Sequence, residues 1–536
     1  MHKVDNAVIM AAGYSSRLAP LSYETHKGLL KVKGEVLIER QIRQLREAGI
    51  KDVTVVTGYR RNDFAYLADE FAVELVDNPD YCRYNNPSSL LKVAERLRNT
   101  YVCSCDNYFT ENVFEPEVEK AYYAATFYPG ESNEWGIETD AAGRITGINH
   151  APVDMWCMMG HVFFDEKFSR TFRLILRRNC DNPRVLSRLW EYILEENLGV
   201  LDMDVRKYRE GIVKEFDSLE ELRAFDKKYV NNSGSRIFRN IKRTLKCREE
   251  EIGGIEVIKQ GLTNRSFKFD VGGKAYVYRH PGEGTEDYIS RRSEAFSLRV
   301  AKKLGLDWTL VAFNAEQGWK ISEFVSSART LDYHNEDDVG RAIGLMRRLH
   351  DAKIKTRHVF GIWEKTCEFV KAASPEYRRF KGAQQLFSEM EALYYSVSRK
   401  TGGRKYLSHC DCYSPNFLVE PSGDIALIDW EYSGAEDYGV DIGTFVCCSD
   451  WTEKDADAFL DKYNGQPRVN RYHDYAWIAL AAYYWFVWAV YQEKIGNPVG
   501  GYLDLWHKMA LTYLKKAQAL GKAESPDRAE LKKEEQ

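Results

Sequence analysis

The sequence lacks the features that mark several protein classes. Its 76 basic and 80 acidic residues nearly cancel, leaving a net charge of −4, so no broad positive face for nucleic acid is predicted. Its eleven cysteines include no C-x-x-C pair with a matching second pair, the spacing that would suggest zinc. Reduced thiols in a cytoplasmic protein fit this cysteine usage.

Segments that target a membrane are lacking too. The N-terminus passes from a short apolar run straight into a glycine turn, without the longer apolar region and cleavage site of a signal peptide. The longest apolar stretch, residues 475–491, is short for a membrane span and rich in tyrosine and tryptophan, which favours a buried helix. We therefore expect no membrane insertion.

Length and composition predict two large globular domains. The 536 residues are too many for one ordinary core, and 44% of them are hydrophobic. In the first part, strand patterns at 6–11, 53–57 and 100–105 alternate with helix patterns such as 36–48 and 218–228. This alternation predicts a parallel sheet wrapped by helices.

After the turn-forming residues 231–235 the pattern changes to short strands and then to mostly helix. The short strands are predicted at 256–259, 266–271 and 275–279. A small strand-rich lobe followed by a helical lobe is implied. The predicted boundaries are 1–230 for the first domain, 231–251 for a linker and basic helix, 252–521 for the second domain and 522–536 for a charged tail.

A candidate nucleotide turn directly follows the first predicted strand. Gly13 and the small hydroxyl residues after it let backbone N–H groups approach a triphosphate, which Arg17 and Lys27 would neutralise. Taken alone, the turn also fits an ordinary strand-to-helix connection. Asp106, at the end of a later buried strand, would meet the same crevice and hold Mg²⁺ there together with Asp217.

Residues 4–229 resemble the sugar-nucleotidyltransferase superfamily and, within it, bacterial CTP:phosphocholine cytidylyltransferases. The resemblance is carried by AAGYSSRLAPLSYETHKGLLKV, DNPDYCRYNNPSSL, CDNYF, SNEWGI and KEFDSLEEL, although Ser15 stands where the family usually has glycine. It implies an α/β fold with a Rossmann-like mixed sheet and an attack of the phosphocholine phosphate on the α-phosphorus of CTP.

The same resemblance implies roles for single residues. Arg17 and Lys27 are the expected catalytic cations, and Asp106 and Asp217 are the expected metal ligands. The expected nucleotide-binding residues of the turn are Ala11, Gly13 and Ser16.

A trimethylammonium group would fit against the ring face of Trp135, next to the negative charge of Glu134. Glu191 and Glu215 are further candidates for this choline-binding pocket. A plain core tryptophan remains the alternative for Trp135.

The second half carries an H-x-D-x4-N motif, His409 to Asn416, followed by Asp429 on a strand. Phosphoryl transfer needs one carboxylate at the acceptor hydroxyl and ligands for the Mg²⁺ that accompanies the nucleotide. Asp411 is therefore the predicted base, and Asn416 and Asp429 are the predicted metal ligands. The alternative is that these polar residues only cap turns.

The strand-rich lobe before this motif offers residues for a nucleotide. A polar hairpin over 261–266, which includes Asn264, could cover phosphates. Arg279 ends a strand that could point a cation at them, and Glu294 would pair with this cation; a plain exposed arginine is the alternative. Glu323 resembles the hinge that holds adenine.

Residues 252–520 resemble the choline and ethanolamine kinases of the aminoglycoside-phosphotransferase-like group, through HCDCYSPNFL and LIDWEYSGAEDYGVDIG. The resemblance implies an α+β bilobal kinase-like domain. Trp485 and Trp488 would share one helix face and, with Tyr432, box a quaternary ammonium; an aromatic core helix is the alternative. Cys447 and Cys448 stand where the family has an acid.

The two interpretations involve the same metabolite, phosphocholine. A kinase using ATP would release phosphocholine, and a cytidylyltransferase using CTP would consume it, both with Mg²⁺. Two other hypotheses stay open: the same chemistries on ethanolamine or another amino alcohol, and a nucleotide-binding regulator with one degenerate site. The sequence predicts small-molecule partners and leaves the oligomeric state open.

Overall fold

The computed structural model describes residues 1–260, 264–282, 290–466, 471–497 and 499–523. Residues 261–263 of the predicted hairpin and 524–536 of the predicted tail lie outside this set. The chain forms two compact units, Met1–Val257 and Ile258–Gln536.

A nine-stranded mixed sheet forms the centre of the first unit. The main path of the sheet runs through the strands Ile145–Asn149, Gly136–Thr139, Val153–Phe164, Thr100–Ser104, Asn6–Ala11, Val53–Thr57 and Glu74–Asp77. Tyr122–Glu131 pairs with Val153–Phe164 and with Asp204–Tyr208. The central strand Asn6–Ala11 is parallel to both neighbours, as the sequence predicts, whereas Val153–Phe164 is antiparallel to Thr100–Ser104.

Both faces of the central strand are buried, which explains its continuous apolar sequence. Ile9 packs into one core with Ile42 of the helix Leu37–Glu47, and Val8 packs into a second core with Phe172. The helices of this unit are Leu21–Glu24, Leu37–Glu47, Tyr66–Phe71, Asn86–Lys92, Glu166–Arg178, Pro183–Leu186, Glu191–Glu196, Leu219–Phe225, Lys228–Asn231 and Arg236–Leu245.

A short antiparallel ribbon brings residues 213–215 next to the C-terminal end of the strand Thr100–Ser104. Asn107–Phe109 pairs with Val213–Glu215, with Asn107 opposite Glu215. Two further short pairs are His2–Lys3 with Glu117–Val118 and Lys31–Val32 with Glu35–Val36. The ribbon places the residues around 215 next to Asp106, which precedes its first strand.

The basic helix predicted around residues 236–247 forms as Arg236–Leu245 and belongs to the first unit. Glu24 caps its start: the carboxylate accepts the backbone N–H of Arg236 (3.0 Å) and the hydroxyl of Ser235. A carboxylate at this end satisfies free N–H groups and opposes the helix dipole. The helix is therefore anchored to residues far away in the sequence.

A five-stranded sheet and one helix precede the helical lobe of the second unit, and the first strand of this sheet begins in the last residues of the first unit. The sheet order is Gly253–Gln260, Asn264–Val271, Lys274–Pro281, Lys320–Glu323 and Leu310–Phe313. The following lobe is mostly helical, with short strands Arg329–Thr330, Tyr406–Ser408, Phe417–Val419, Ile425–Leu427 and Gly434–Glu436. Among its described residues, the helices of the unit are Arg291–Lys303, Glu336–Asp351, Ile362–Ala373, Ala383–Lys400, Gly439–Cys447, Glu453–Asn464, Tyr472–Lys494 and Tyr502–Ala523.

The helix Tyr472–Lys494 is the centre of the helical lobe and is buried along most of its length. The apolar stretch 475–491 therefore lies in a protein core. Gly443 lets the helix Gly439–Cys447 pack closely against it, because a Cβ there would lie 2.4 Å from the backbone oxygen of Trp477. Among the described residues, no helix is long and apolar enough to cross a bilayer.

Candidate active sites

The predicted nucleotide turn of the first unit leaves the sheet at Ala11, the buried last residue of its strand. Gly13 follows, and Ser16 begins a short 3-10 helix that carries the mostly exposed Arg17. Ser15 has a φ of 57°, in the left-handed region that favours glycine, which agrees with the glycine usual there in the resembled family.

His26 ties this turn to the segment that carries Lys27. Gly28 donates its N–H to Nδ1 of His26 (3.1 Å), so Nε2 carries the proton and donates to the carbonyl of Gly13 (3.1 Å). Burial and the charge of Lys27 lower the pKa of His26 to about 3, so the ring stays neutral and keeps both bonds. The sequence analysis did not single out His26.

Three carboxylates meet just beyond the C-terminal end of the strand Thr100–Ser104. Asp106, Glu215 and Asp217 place oxygen atoms within 4.8 Å of one another. The Lys27 ammonium pairs with Asp106, and Nη1 of Arg17 lies 2.9 Å from Oδ2 of Asp217. The structure thus brings together the predicted cations and metal ligands, and it adds Glu215, which the sequence analysis had assigned to the amine pocket.

This carboxylate cluster has the charge and the donor atoms of a divalent cation site. Burial alone would raise the pKa of Asp106, but the adjacent Lys27 lowers it below its usual range. Burial and Asp106 raise the pKa of Glu215 well above its usual range, and burial raises the pKa of Asp217. Among the described residues, Oδ1 of Asp106 is buried without a hydrogen-bond partner. Three converging carboxylates fit Mg²⁺, which prefers oxygen ligands.

The acids predicted to hold an amine lie around Tyr123. Its hydroxyl donates to Oε1 of Glu191 (3.0 Å), and its ring stacks on Trp190 with centroids 5.9 Å apart. Burial raises the pKa of Glu191 to about 7. Burial, followed by the negative charges of Glu191, Glu215 and Glu134, raises the pKa of Tyr123 well above its usual range.

Trp135 is half-buried at the edge of the same core. Its ring makes edge-to-face contacts with His150 (4.5 Å between centroids) and Tyr192 (4.8 Å). A partly exposed ring in this position fits the predicted ammonium contact and also fits the alternative of a structural tryptophan.

Asp411, Asn416 and Asp429 converge in the second unit. The side-chain amide of Asn416 donates to Oδ2 of Asp411 (2.9 Å) and to its backbone carbonyl (2.8 Å), which leaves the amide oxygen of Asn416 available to a cation. Burial, and next Asp429, raise the pKa of Asp411 well above its usual range. A buried carboxylate with a raised pKa suits a general base.

Asp441 holds the loop that carries Asp411. Its carboxylate accepts the backbone N–H groups of His409 (2.9 Å) and Cys410 (2.6 Å) and contacts Nε2 of His350 (2.8 Å). Cys410 has a φ of 66°, a conformation that these bonds help to hold. Burial alone would raise the pKa of Asp441, but its bonds to His350 and the loop lower it. Asp441 stands within the motif LIDWEYSGAEDYGVDIG, but the motif alone does not predict this role.

Arg279 lies in a buried network of ion pairs. It contacts Glu294 through Nη1 to Oε1 (2.6 Å) and Nη2 to Oε2 (2.8 Å), which confirms the predicted pairing. Nη1 also lies 3.6 Å from Oδ1 of Asp429. Oε2 of Glu431 lies 3.7 Å from Nη1 of Arg279 and accepts a hydrogen bond from Nδ2 of Asn264 (2.7 Å). The sequence did not predict a role for Glu431 in this site. Asn264 thus contacts this network.

Glu323 is the exposed last residue of the strand Lys320–Glu323. Its backbone N–H donates to the carbonyl of Thr309 (2.8 Å), and Phe324 donates to the carbonyl of Ala275 (2.9 Å). The predicted hinge therefore lies at the end of the small lobe's sheet.

Tyr432, Trp485 and Trp488 form one aromatic cluster, as the sequence predicts. The ring of Trp485 is nearly perpendicular to those of Trp488 (5.6 Å between centroids) and Tyr432 (6.4 Å). Trp506 lies 5.9 Å from Trp485 and 6.3 Å from Trp488, and Tyr502 stacks on Trp506 at 5.0 Å. These last two rings come from a helix with no motif, and the sequence analysis missed them.

Tyr432, one ring of the aromatic cluster, lies within electrostatic range of Asp411. Burial raises the pKa of Tyr432 well above its usual range, and the nearby Tyr484, Glu431 and Asp411 raise it further. Cys448 is one of the groups that raise the pKa of Asp411, so a thiol lies close to this carboxylate where the resembled kinases have an acid.

The first unit has a mixed-sheet nucleotidyltransferase fold, and the second unit has a kinase-like fold. Residues 7–196 match the MobA-like NTP transferase domain, and residues 255–472 match choline/ethanolamine kinase. The chain belongs to the nucleotidyltransferases through its N-terminal unit, and its C-terminal unit is similar to choline and ethanolamine kinases. Both are enzyme families.

Several individual proteins are similar to one part of this chain or the other. The chain is 31% identical over 229 residues to the 2-aminoethylphosphonate cytidylyltransferase of Lancefieldella rimae. This match covers 42% of this chain and 93% of that protein. It is 29% identical over 227 residues to the choline-phosphate cytidylyltransferase of Streptococcus pneumoniae, covering 42% and 99%. The crystal structure of choline kinase LicA from Streptococcus pneumoniae matches at 25% identity and a TM-score of 0.45, covering 53% of this chain and 100% of that one.

A metal-binding measurement tests whether Glu215, the third carboxylate of the cluster, is a metal ligand. In an Asp429→Asn background, which weakens the second unit's site, we expect Glu215→Gln to lower the affinity for Mn²⁺ by roughly tenfold, because it removes a charged oxygen ligand. Electron paramagnetic resonance of free Mn²⁺ measures this affinity. Glu210→Gln, an exposed acid on the same stretch, is the control. Equal affinity in the two variants would remove Glu215 from the metal site.

Proposed function

We propose that the chain is a bifunctional enzyme that makes CDP-choline. The second unit transfers the γ-phosphoryl group of ATP to choline, giving phosphocholine and ADP. The first unit then transfers CMP from CTP to phosphocholine, giving CDP-choline and pyrophosphate. The observation that carries this proposal is the aromatic cluster around Trp485, which includes Tyr432, a ring within electrostatic range of the candidate base Asp411.

Rings suit choline because its ammonium is permanently charged and has no N–H to donate. Such a cation is attracted to ring faces by about 0.5–2 kcal/mol each. Tyr432, Trp485, Trp488 and Trp506 supply several faces at one place. A choline held there would bring its hydroxyl group toward Asp411.

In the kinase unit, Asp411 would accept the proton of the choline hydroxyl as oxygen attacks the γ-phosphorus. Asn416 orients Asp411 through the 2.9 Å hydrogen bond, and Asp441 fixes the loop behind it. Arg279 supplies positive charge next to Asp429.

In the cytidylyltransferase unit, the phosphate of phosphocholine is itself the nucleophile, so no protein base is required. Arg17 and Lys27 would bind phosphate oxygens and stabilise the charge that develops on the leaving pyrophosphate. Glu191 and Trp135 would hold the ammonium at the other end of the substrate.

Mg²⁺ is the cofactor that both sites fit. Asp106, Asp217 and Glu215 would hold it in the first unit, and Asn416 and Asp429 in the second. When bound, it neutralises phosphate oxygens of the nucleotide. The small-molecule substrates and a cytoplasmic setting complete the proposal.

A primary amine is the second candidate for the first unit. Glu134, Glu191 and Glu215 around Tyr123 could accept hydrogen bonds from an N–H group, which choline lacks. The relative from Lancefieldella rimae is a 2-aminoethylphosphonate cytidylyltransferase. Rates with phosphocholine, phosphoethanolamine and 2-aminoethylphosphonate, measured side by side, decide between these substrates.

The two half-reactions separate the two sites. We expect Asp411→Ala to lower phosphocholine formation by about a thousandfold, because the base is lost, while CDP-choline formation from supplied phosphocholine stays within about twofold. Asp106→Ala should give the converse. Chromatography of products from choline, ATP, CTP and Mg²⁺ measures both steps.

Asp424→Ala, an exposed acid in a nearby turn, is the control for these variants. If either active-site substitution stopped both steps in a folded protein, the division into two independent sites would be wrong. Absence of CDP-choline with the unchanged protein would remove the proposal itself.

The aromatic cluster predicts a difference between amines. Trp488→Leu should raise KM for choline by about tenfold and KM for ethanolamine by less, because only the quaternary ammonium depends mainly on ring faces. Steady-state kinase assays with both alcohols measure this. Trp308→Leu changes a partly exposed tryptophan elsewhere in the unit and serves as the control. Equal effects on both amines would show that the ring does not select the methylated group.

The pKa of Glu191 predicts a pH dependence. Below pH 7 its carboxyl is neutral, and above pH 7 it is charged and attracts the ammonium, since burial raises its pKa to about 7. KM for phosphocholine should therefore fall by about threefold or more between pH 6 and 8. Glu191→Gln should remove this dependence, and the exposed Glu196→Gln should keep it. A fall in KM that persists in Glu191→Gln would assign the titration to another group, such as the substrate phosphate.

A further inference from the structure

The second unit contains a cavity that neither proposed reaction uses. Its volume is about 440 Å³, within the range of small-molecule sites. One wall is formed by the strand Tyr406–Ser408, which leads directly into the loop of Asp411. Another wall is formed by Asp437 and Tyr438, at the start of the helix that carries Asp441. The cavity therefore borders the segments that hold the catalytic loop.

The lining of this cavity is rich in positive charge. Arg347, Lys353 and Arg404 all line it, and among the described residues none of them has a carboxylate within ion-pair distance. Asp351 and Asp437 are the lining acids. Three unpaired cations on one cavity favour an anionic ligand, and the two guanidinium groups can each bind two phosphate oxygens.

His473 adds to this charge and offsets one of the acids. Its Nε2 lies 2.8 Å from Oδ1 of Asp437. Burial alone would lower the pKa of His473, but its bonds to Asp437 and Asp474 raise it to about 9, so the ring is charged at neutral pH. Asp437 is thus neutralised locally, and the cations of the cavity exceed its remaining acid, Asp351.

A chain of hydrogen bonds connects the cavity to the catalytic loop. His350 lines the cavity, with Nδ1 2.7 Å from the hydroxyl of Tyr463 and Nε2 2.8 Å from Oδ2 of Asp441. Asp441 in turn accepts the N–H groups of His409 and Cys410, which directly precede Asp411. A ligand that moves or stiffens His350 would therefore act on the position of the base.

We propose that this cavity binds a small phosphate-bearing anion and that its occupancy changes the rate of the kinase site. The inference goes beyond the proposed function and holds for whichever amine the kinase accepts. Two sources of this chemistry are products of the first unit's reaction: pyrophosphate and the pyrophosphate bridge of a nucleotide such as CDP-choline. Either one would connect the output of one unit to the rate of the other.

The full chain is tested with pyrophosphate, CDP-choline and inorganic phosphate as separate probes, at saturating ATP and constant free Mg²⁺. We expect at least one probe to slow hydrogen exchange in 404–411 and 437–441. The same probe should change the rate of choline phosphorylation by about fivefold, the usual size of a coupling between sites. The probe that acts identifies the source of the phosphate group.

The double variant Arg347→Glu, Arg404→Glu should keep the kinase rate without a probe, but bind the active probe roughly tenfold more weakly and lose the response. Arg348→Glu is the matched control, since this neighbouring arginine contacts the carbonyls of Leu304 and Gly305 and does not line the cavity. Failure of all three probes at millimolar concentration would overturn the proposal. A response that survives in the double variant would also overturn it, by placing the anion at the ATP site.

Discussion

Both candidate active sites contain a buried carboxylate that is kept next to a cation. Asp106 is paired with Lys27, and Glu294 is paired with Arg279. For Asp106, the adjacent Lys27 counters the raised pKa that burial alone would give to the acid. Around Asp106, the carboxylates of Glu215 and Asp217 lie close by, so this cluster offers the oxygen ligands that a divalent cation prefers.

The loops that carry these groups are held by side chains with different charges. Neutral His26 accepts one backbone N–H and donates to one carbonyl, which fixes the nucleotide turn without adding charge near a phosphate. Asp441 carries a negative charge and accepts two N–H groups behind Asp411. The first arrangement suits a loop that faces phosphates, and the second raises the negative field around a base.

Some of this architecture follows from the sequence, because local pattern and motif spacing are local properties. The strand Asn6–Ala11 and the joint spacing of Asp411, Asn416 and Asp429 could be read directly. Glu431 and Trp506 could not, because they enter the sites through long-range packing that has no spacing rule. Glu215 was assigned to the amine pocket, since only the ribbon pairing shows that it lies beside Asp106.

The two proposed substrates explain why the two amine pockets differ. Choline carries only a positive charge, so rings around Trp485 can hold it while Asp411 stays the acid at the hydroxyl. Phosphocholine carries a phosphate as well, so a site for it must separate a cationic end from an acidic one. In the proposed site, Arg17 and Lys27 would bind the phosphate, and Glu191 would attract the ammonium. A fixed distance between opposite charges selects a zwitterion over free choline or free phosphate, because neither of those satisfies both ends.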